Sequence, residues 1–181
     1  MATLPIHEDP DQELVSVREY LATSYRPDCE YVDGRIEERN LGEYDHGLLQ
    51  TILGYLFMTH RDDWGIHVVT DVRTQVKSRR FRVPDLSVLR SGAPKEQIIT
   101  HPPLIVIEIL SPEDRLSRFQ NRIEDYLVFG VENIWIIDPE SRTAYTATAS
   151  GLHPVRTNEL VVPETPIRVV LSELFAELDR A

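Results

Sequence analysis

The chain begins with a polar, proline-containing stretch before Ser16 that shows no periodicity and reads as a flexible start. Order begins at Ser16, a good N-cap for a short helix carrying Val17, Tyr20, Leu21 and Ser24. The run CEYVDGRIEER (29–39) then sets Asp33-Gly34 between two strand-like arms, the signal of a two-residue hairpin. From about residue 45 to 61, Leu48, Leu49, Ile52, Leu53, Leu56 and Phe57 recur at 3.6-residue spacing. That pattern predicts a long helix with a wide apolar face laid on a sheet.

The middle of the chain changes period. GIHVVTD (65–71), VRTQV (72–76), FRVPDLSVLR (81–90) and LIVIEIL (104–110) are rich in β-branched residues and bounded by Gly, Pro or polar clusters, which predicts three or four strands. A helix is expected over residues 114–129, with Leu116, Phe119, Ile123, Tyr126 and Leu127 on one side and Gly130 as the residue that closes it. NIWIID (133–138) reads as one more buried strand. The order helix, three strands, helix, strand requires the second helix to cross over and return the last strand parallel beside the sheet, so the expected class is an α/β sandwich. SRTAYTAT (141–148) as a hairpin arm, a strand near 159–162 and a helix near 171–178 are expected to extend that sheet and cover an edge. Residues 16–181 are read as one domain.

Composition sharpens this only in places. With 181 residues and 41% hydrophobic content, the chain can bury a sizeable core without disulfides or metal. Cys29 is the single cysteine and cannot form an internal disulfide, and the first residues carry neither the basic segment nor the apolar run of a secretory signal, which points to the cytoplasm. The longest apolar stretch, LIVI at 104–107, is far short of the roughly 20 residues a membrane helix needs, so no membrane role is expected. A net charge of −11 counts against a nucleic-acid partner, since phosphate binding draws on Lys and Arg. Charge distribution counts the other way: residues 73–82 hold Arg73, Lys77, Arg79, Arg80 and Arg82 with no acidic residue among them. They form either a basic strip for phosphate or a solvated hairpin with charged tips. A phosphate-cradling glycine cluster is absent, with only 8 glycines dispersed along the chain, which argues against a nucleotide-binding α/β domain.

The informative pair is Asp85 in RVPDLSVLR and Glu108 in LIVIEILSP, each a carboxylate in or at the end of an otherwise apolar strand. Burying a charge there is costly unless it is paired or bound to a cation. If the two strands are neighbours, the carboxylates meet, and Mg²⁺ or Mn²⁺ is the hard partner such oxygens suit. The plainer alternative has Asp85 capping a turn after Pro84 and Glu108 paired with an arginine such as Arg82. Asp138-Pro139 needs no more than a turn to explain it.

Pro84-Asp85, Glu108-Ile109-Leu110-Ser111-Pro112, the helix ending in Tyr126 and Gly130, Trp135-Ile136-Ile137-Asp138-Pro139, Tyr31-Val32-Asp33-Gly34 and His46 together resemble the Uma-two family, whose members are called endonucleases by their sites and fold. The resemblance runs from about Val15 to Tyr145 and implies the restriction-endonuclease-like fold of the PD-(D/E)XK superfamily, with an N-terminal helix and hairpin and a C-terminal β extension. It implies Asp85 and Glu108 as Mg²⁺ or Mn²⁺ ligands, the Ile109 carbonyl completing the shell, and hydrolysis of DNA phosphodiester bonds; a homodimer is expected because cuts on opposite strands suit two-fold symmetry. The superfamily lysine would stand two residues after Glu108, where this chain has Leu110; relatives move it onto the following helix, and the matching position is Arg122. An arginine stays charged and can orient or stabilise but cannot act as a base. His46, and less so Glu43, occupy the start of the long helix where relatives place an extra residue near the metal. Arg115, Arg118 and Arg122 share a helix face and could track phosphates, although Asp114, Glu124 and Asp125 on the same helix favour an exposed, ion-paired surface. Gln120 is a candidate water ligand and Lys77 a candidate amine. The alternative function is a non-catalytic member that keeps the fold and binds nucleic acid or a protein partner.

Overall fold

The computed structural model describes residues 14–40, 42–112 and 116–180. The start expected to be flexible lies outside them except for Leu14 and Val15, and Val15 is tied down: its N–H donates to the Gly34 carbonyl at 2.8 Å and its carbonyl accepts from the Tyr31 hydroxyl at 2.9 Å.

The elements run α1 (Val17–Ala22), β1 (Cys29–Val32), β2 (Arg35–Glu38), α2 (Tyr44–Thr59), α3 (Arg61–Trp64), β3 (Ile66–Thr70), β4 (Thr74–Lys77), β5 (Arg80–Arg82), β6 (Leu86–Arg90), β7 (Ile105–Ile109), α4 (Leu116–Phe129), β8 (Asn133–Asp138), β9 (Thr143–Thr148), β10 (Gly151–Pro154), β11 (Glu159–Val161), β12 (Arg168–Val170) and α5 (Leu171–Leu178). Local chemistry explains several boundaries. The Ser16 hydroxyl accepts from the Glu19 N–H at 3.2 Å and starts α1. Asp33 (φ 52°) and Gly34 (φ 105°) both take positive φ, the geometry a two-residue hairpin between twisted strands requires. Gly130, at φ 100°, ends α4, with the Val131 N–H on the Tyr126 carbonyl and its own N–H reaching that of Leu127, so the freed carbonyls are used. The expected start of α4 at Asp114 lies outside the described residues.

The strand-rich middle makes five strands, not three or four. FRVPDLSVLR is two of them, broken at Val83-Pro84-Asp85: β5 joins a sheet of order β2-β1-β5-β4, whereas β6 joins the main sheet of order β10-β9-β8-β7-β6-β3. Proline cannot donate to a ladder, so the chain changes sheets there. β7 and β8 pair in parallel with Ile107 beside Trp135, and β6 and β7 pair antiparallel with Leu86 beside Ile107. The C-terminal strand also departs from expectation. β11 pairs only with β12 in a two-stranded sheet, and the hairpin of β9 and β10 is what extends the main sheet.

Alternation along β7 and β8 divides the interior. Ile105, Ile107, Ile109, Trp135 and Ile137 face α2 and α5, where Leu49, Leu53, Phe57 and Phe175 are buried. Val106, Ile134 and Ile136 face α4 and meet Phe119, Ile123 and Tyr126. The result is a mixed α/β fold with helices on both sides of one sheet. Among the described residues no helix is long and apolar enough to cross a membrane.

The stretch 73–82 is not a free basic strip: it is the β4–β5 hairpin, exposed at its Lys77–Arg79 tip, with other cations turned inward. Arg82 is 2% exposed and takes Asp125 through two nitrogens at 2.9 and 2.8 Å and Glu30 at 2.7 Å. Lys77 and Arg80 reach the other Asp125 oxygen at 2.8 and 3.0 Å, and Arg73 lies 4.7 Å over the Tyr20 ring. Asp125, expected on an exposed helix face, is fully buried. Arg82→Ala should therefore cost about 3–5 kcal/mol in urea unfolding, because Glu30 and Asp125 would be left buried without their shared cation. A loss of under about 1 kcal/mol, the range of exposed pairs, would show that these charges are effectively in solvent.

Candidate functional site

The ladder between β6 and β7 stops at Leu86 beside Ile107, and one rung further Asp85 stands opposite Glu108. Glu108 turns to the face that carries α4, where Arg122 and Tyr126 meet it, whereas Asp85, one residue before β6, meets His46 of α2. Asp85 is 3% exposed and Glu108 2%, so two carboxylates share a nearly dry space at the open end of two strands. Sequence reasoning had left their meeting conditional on strand adjacency; the topology supplies it.

Donors surround each carboxylate. Oδ1 of Asp85 accepts from Arg39 Nη2 at 2.6 Å, and Oδ2 accepts from the Ile109 N–H at 2.7 Å and lies 3.2 Å from His46 Nε2. Oε1 of Glu108 accepts from the Tyr126 hydroxyl at 2.5 Å, and Oε2 from Arg122 Nη1 at 2.9 Å. Asp85 caps no turn here, and the partner of Glu108 is Arg122, since Arg82 is committed to Glu30 and Asp125. Behind Arg122 stands Glu30, whose Oε1 is 3.6 Å from Nε and also accepts the Val83 N–H at 3.1 Å. A chain of charges thus runs from Asp125 through Arg82, Glu30 and Arg122 to Glu108, joining the second sheet and α4 to the site.

The two acids respond oppositely to burial. Desolvation disfavours the charged form of Asp85, yet the His46 hydrogen bond and the Arg39 charge outweigh it and hold the carboxyl below its ordinary range. For Glu108 desolvation wins over Arg122, and the neighbouring Asp85 charge adds to it, so the carboxyl is pushed up to about 7. His46 is raised: burial lowers it, but its bond to Asp85 prevails.

The remaining candidates separate clearly. His46 belongs to the site from the first turn of α2, whereas Glu43 is exposed at the N-cap without a side-chain capping bond. Gln120 and Glu124 are exposed. Lys77 is spent on Asp125, away from the two carboxylates. Leu110 packs as a partly buried apolar residue beside the α4 cluster. Arg115 and Asp114 lie outside the described residues, and the side chain of Arg118 does too. Asp138 makes the turn expected of it, accepting from the Glu140 and Ser141 N–H groups at 2.9 and 3.2 Å.

Sequence reasoning missed Arg39, Asp71, Gln50 and Glu30 altogether, and did not connect Tyr126 with Glu108. Asp71 is one rung beyond Thr70 beside Leu86, so Asp71, Asp85 and Glu108 end three adjacent strands in a row. Gln50 Nε2 donates to Asp71 Oδ2 at 2.7 Å and to the Asp85 carbonyl at 2.9 Å. Two of these were findable: Gln50 follows His46, and Tyr126 follows Arg122, by four residues, one helical turn on the same face.

The chemistry of the donors suits a hard divalent cation. Among the described residues no group of three or more His, Cys, Asp or Glu side chains is arranged as a cage. Mg²⁺, however, is held by one or two carboxylates with water and phosphate completing an octahedron, which is what Asp85 and Glu108 can offer. The same geometry governs stability. Glu108 holds a proton in the fold up to about 7 against an ordinary 4.5, so its contribution is complete below about 4.5 and is lost as pH rises through 7. In metal-free protein, unfolding free energy from pH 4.5 to 7.5 should fall by on the order of 3 kcal/mol more in wild type than in Glu108→Gln, measured by urea titration. Parallel pH profiles would mean Glu108 ionises normally.

A search of curated proteins returns no match. A solved structure described as "a putative nuclease belonging to DUF820 from Anabaena variabilis ATCC 29413" aligns with a TM-score of 0.78 at 21% identity over 91% of this chain and 99% of its own, which shows a shared fold. A second, a DrdV–DNA complex, aligns at a TM-score of only 0.39 and 18% identity, over 72% of this chain and 11% of its own, too slight a likeness to argue from. Residues 17–176 match the Uma-two family, described as "Putative restriction endonuclease", and the chain therefore belongs to that family, with the mixed α/β fold of a restriction-endonuclease-like nuclease.

Proposed function

We propose that this protein is a metal-dependent endonuclease that hydrolyses DNA phosphodiester bonds, with Asp85 and Glu108 holding Mg²⁺ or Mn²⁺. The observation that carries the reading is the meeting of two buried carboxylates at the ends of adjacent strands, in a chain of a nuclease-like family. Within the fold, α2, the main-sheet strands β3, β6 and β7, the crossover α4 and the parallel β8 are read as the superfamily core. When bound, the cation would supply positive charge for the scissile phosphate and a water of lowered pKa.

The residues then divide the work. Asp85, kept ionised by its donors, and Glu108, in its deprotonated form, would hold the ion, and the Ile109 carbonyl would offer a third oxygen at the same strand end. Arg122, between Glu30 and Glu108, presents a fixed positive charge to the phosphate as negative charge builds on it. It cannot take a proton from water. His46, oriented by its contact with Asp85, and Glu108 are the groups here that exchange a proton near neutral pH. A homodimer would suit cleavage of both strands.

One observation favours the second reading, a member that binds a protein partner without cutting. Lys77, Arg80 and Arg82 of the basic stretch pair with Asp125, and beside the site opens a cleft of about 860 Å³ whose lining joins Glu43, Asp45, Asp138 and Glu140 to apolar residues such as Leu110 and Phe119, a poor seat for a DNA backbone.

Titrating Mn²⁺ into wild type and Asp85→Asn, with a supercoiled-plasmid nicking assay in the same buffer, separates the two. Metal binding that Asp85→Asn abolishes, with metal-dependent nicking, is the expected result. Arg122→Gln should keep metal binding and lower nicking by about 10²-fold, the scale of a lost transition-state donor. Binding without nicking would favour the non-cutting member, and no binding would overturn the metal site.

A further inference from the structure

Arg39 comes from outside the strands that carry the acids, one residue past the end of β2 and with its N–H anchored on the Asp28 carbonyl at 3.1 Å. Its two terminal nitrogens go to two different carboxylates: Nη1 to Asp71 Oδ1 at 2.7 Å and Nη2 to Asp85 Oδ1 at 2.6 Å. The partners are not equivalent. The Asp71 side chain is 38% exposed, and its other oxygen is pinned by Gln50; the Asp85 side chain is buried and is the acid proposed to hold the cation. Oδ2 of Asp85 is already engaged by the Ile109 N–H and His46, so Oδ1 is where an incoming ion would compete, against a guanidinium of like sign.

We propose that Arg39 is an internal counter-ion that a divalent cation displaces from Asp85, and that its freed nitrogen then binds a phosphate oxygen of the substrate backbone. This rests on the reading of Asp85 as a metal ligand. With metal absent, the guanidinium supplies the positive charge that lets Asp85 stay ionised beside Glu108. Once the ion takes Oδ1, the hold of Asp71 on Nη1 keeps the guanidinium at the rim, and its side chain, 17% exposed, is within reach of a ligand. A planar guanidinium with one edge anchored and the other open matches a phosphate oxygen better than a lysine ammonium would. Substrate binding thereby becomes conditional on metal binding without any movement of the main sheet.

The test compares wild type, Arg39→Gln and Asp71→Asn by calorimetric titration with Mn²⁺, and by fluorescence anisotropy with a labelled DNA duplex in Ca²⁺ or in EDTA. Removing the competing cation should tighten Mn²⁺ binding in Arg39→Gln by about tenfold, the direction expected when a nearby like charge is removed. Asp71→Asn should weaken it, because Arg39 then has only Asp85 to pair with. Damage to the fold would weaken both, so opposite signs identify competition. Duplex affinity of Arg39→Gln should fall in Ca²⁺ and match wild type in EDTA. Equal or weaker Mn²⁺ binding in Arg39→Gln would overturn the counter-ion, and an equal loss of duplex binding in EDTA would overturn its dependence on metal. If Asp85→Asn binds Mn²⁺ as wild type does, the metal reading itself has failed.

Discussion

Two carboxylates cannot be drawn out of water side by side unless something answers their charge, and the architecture around Asp85 and Glu108 is arranged to answer it. Glu108 lies within β7, paired beside Ile136, and Asp85 stands immediately before β6, so the main sheet fixes where both acids sit. The compensation comes from elsewhere: Arg39 from beyond the N-terminal hairpin, His46 from the first turn of α2, Arg122 and Tyr126 from successive turns of α4. Helices from both faces of the sheet and the outlying hairpin are thereby tied to one point. The compensation is incomplete for Glu108, whose raised proton affinity marks where another positive charge would be welcome.

The second sheet has its role in the same terms. Its strands carry Glu30 and Arg82, and with Asp125 they form a buried relay of alternating charge that ends on Arg122. Breaking such a relay at one member strands the others, so the hairpin sheet and α4 are held together by electrostatics as much as by the aromatic cluster of Tyr20, Tyr31 and Phe81. This use of arginines explains how a chain of net charge −11 carries a run of basic residues of which Arg80 and Arg82 are paired inward.

What the sequence disclosed was local or periodic. The cap at Ser16, the turn at Asp33-Gly34, the face of Leu49, Leu53 and Phe57 and the stop at Gly130 all follow from backbone chemistry within a few residues. Asp85 and Glu108 stood out because charge interrupts apolar strands. Arg39 did not, because it lies in a polar stretch where a charged residue is unremarked; Asp71 ends an apolar strand as Asp85 does, and Glu30 sits in a hairpin arm, but only the pairing of strands far apart in sequence brings them to the site. The burial of Arg82 and Asp125 was illegible for the same reason: they lie 43 residues apart, and neither neighbourhood looks like a core. The double strand in FRVPDLSVLR was legible in hindsight from Pro84, which cannot continue a ladder.

Whether a divalent cation sits between Asp85 and Glu108 can be read from anomalous diffraction of crystals grown with Mn²⁺. The expected result is a peak within about 2.6 Å of an oxygen from each carboxylate, with Arg39 moved off Asp85 and still on Asp71. Crystals that bind Mn²⁺ only elsewhere, with the Arg39–Asp85 and Arg122–Glu108 pairs intact, would contradict it and leave the two acids as a structural ion-pair cluster.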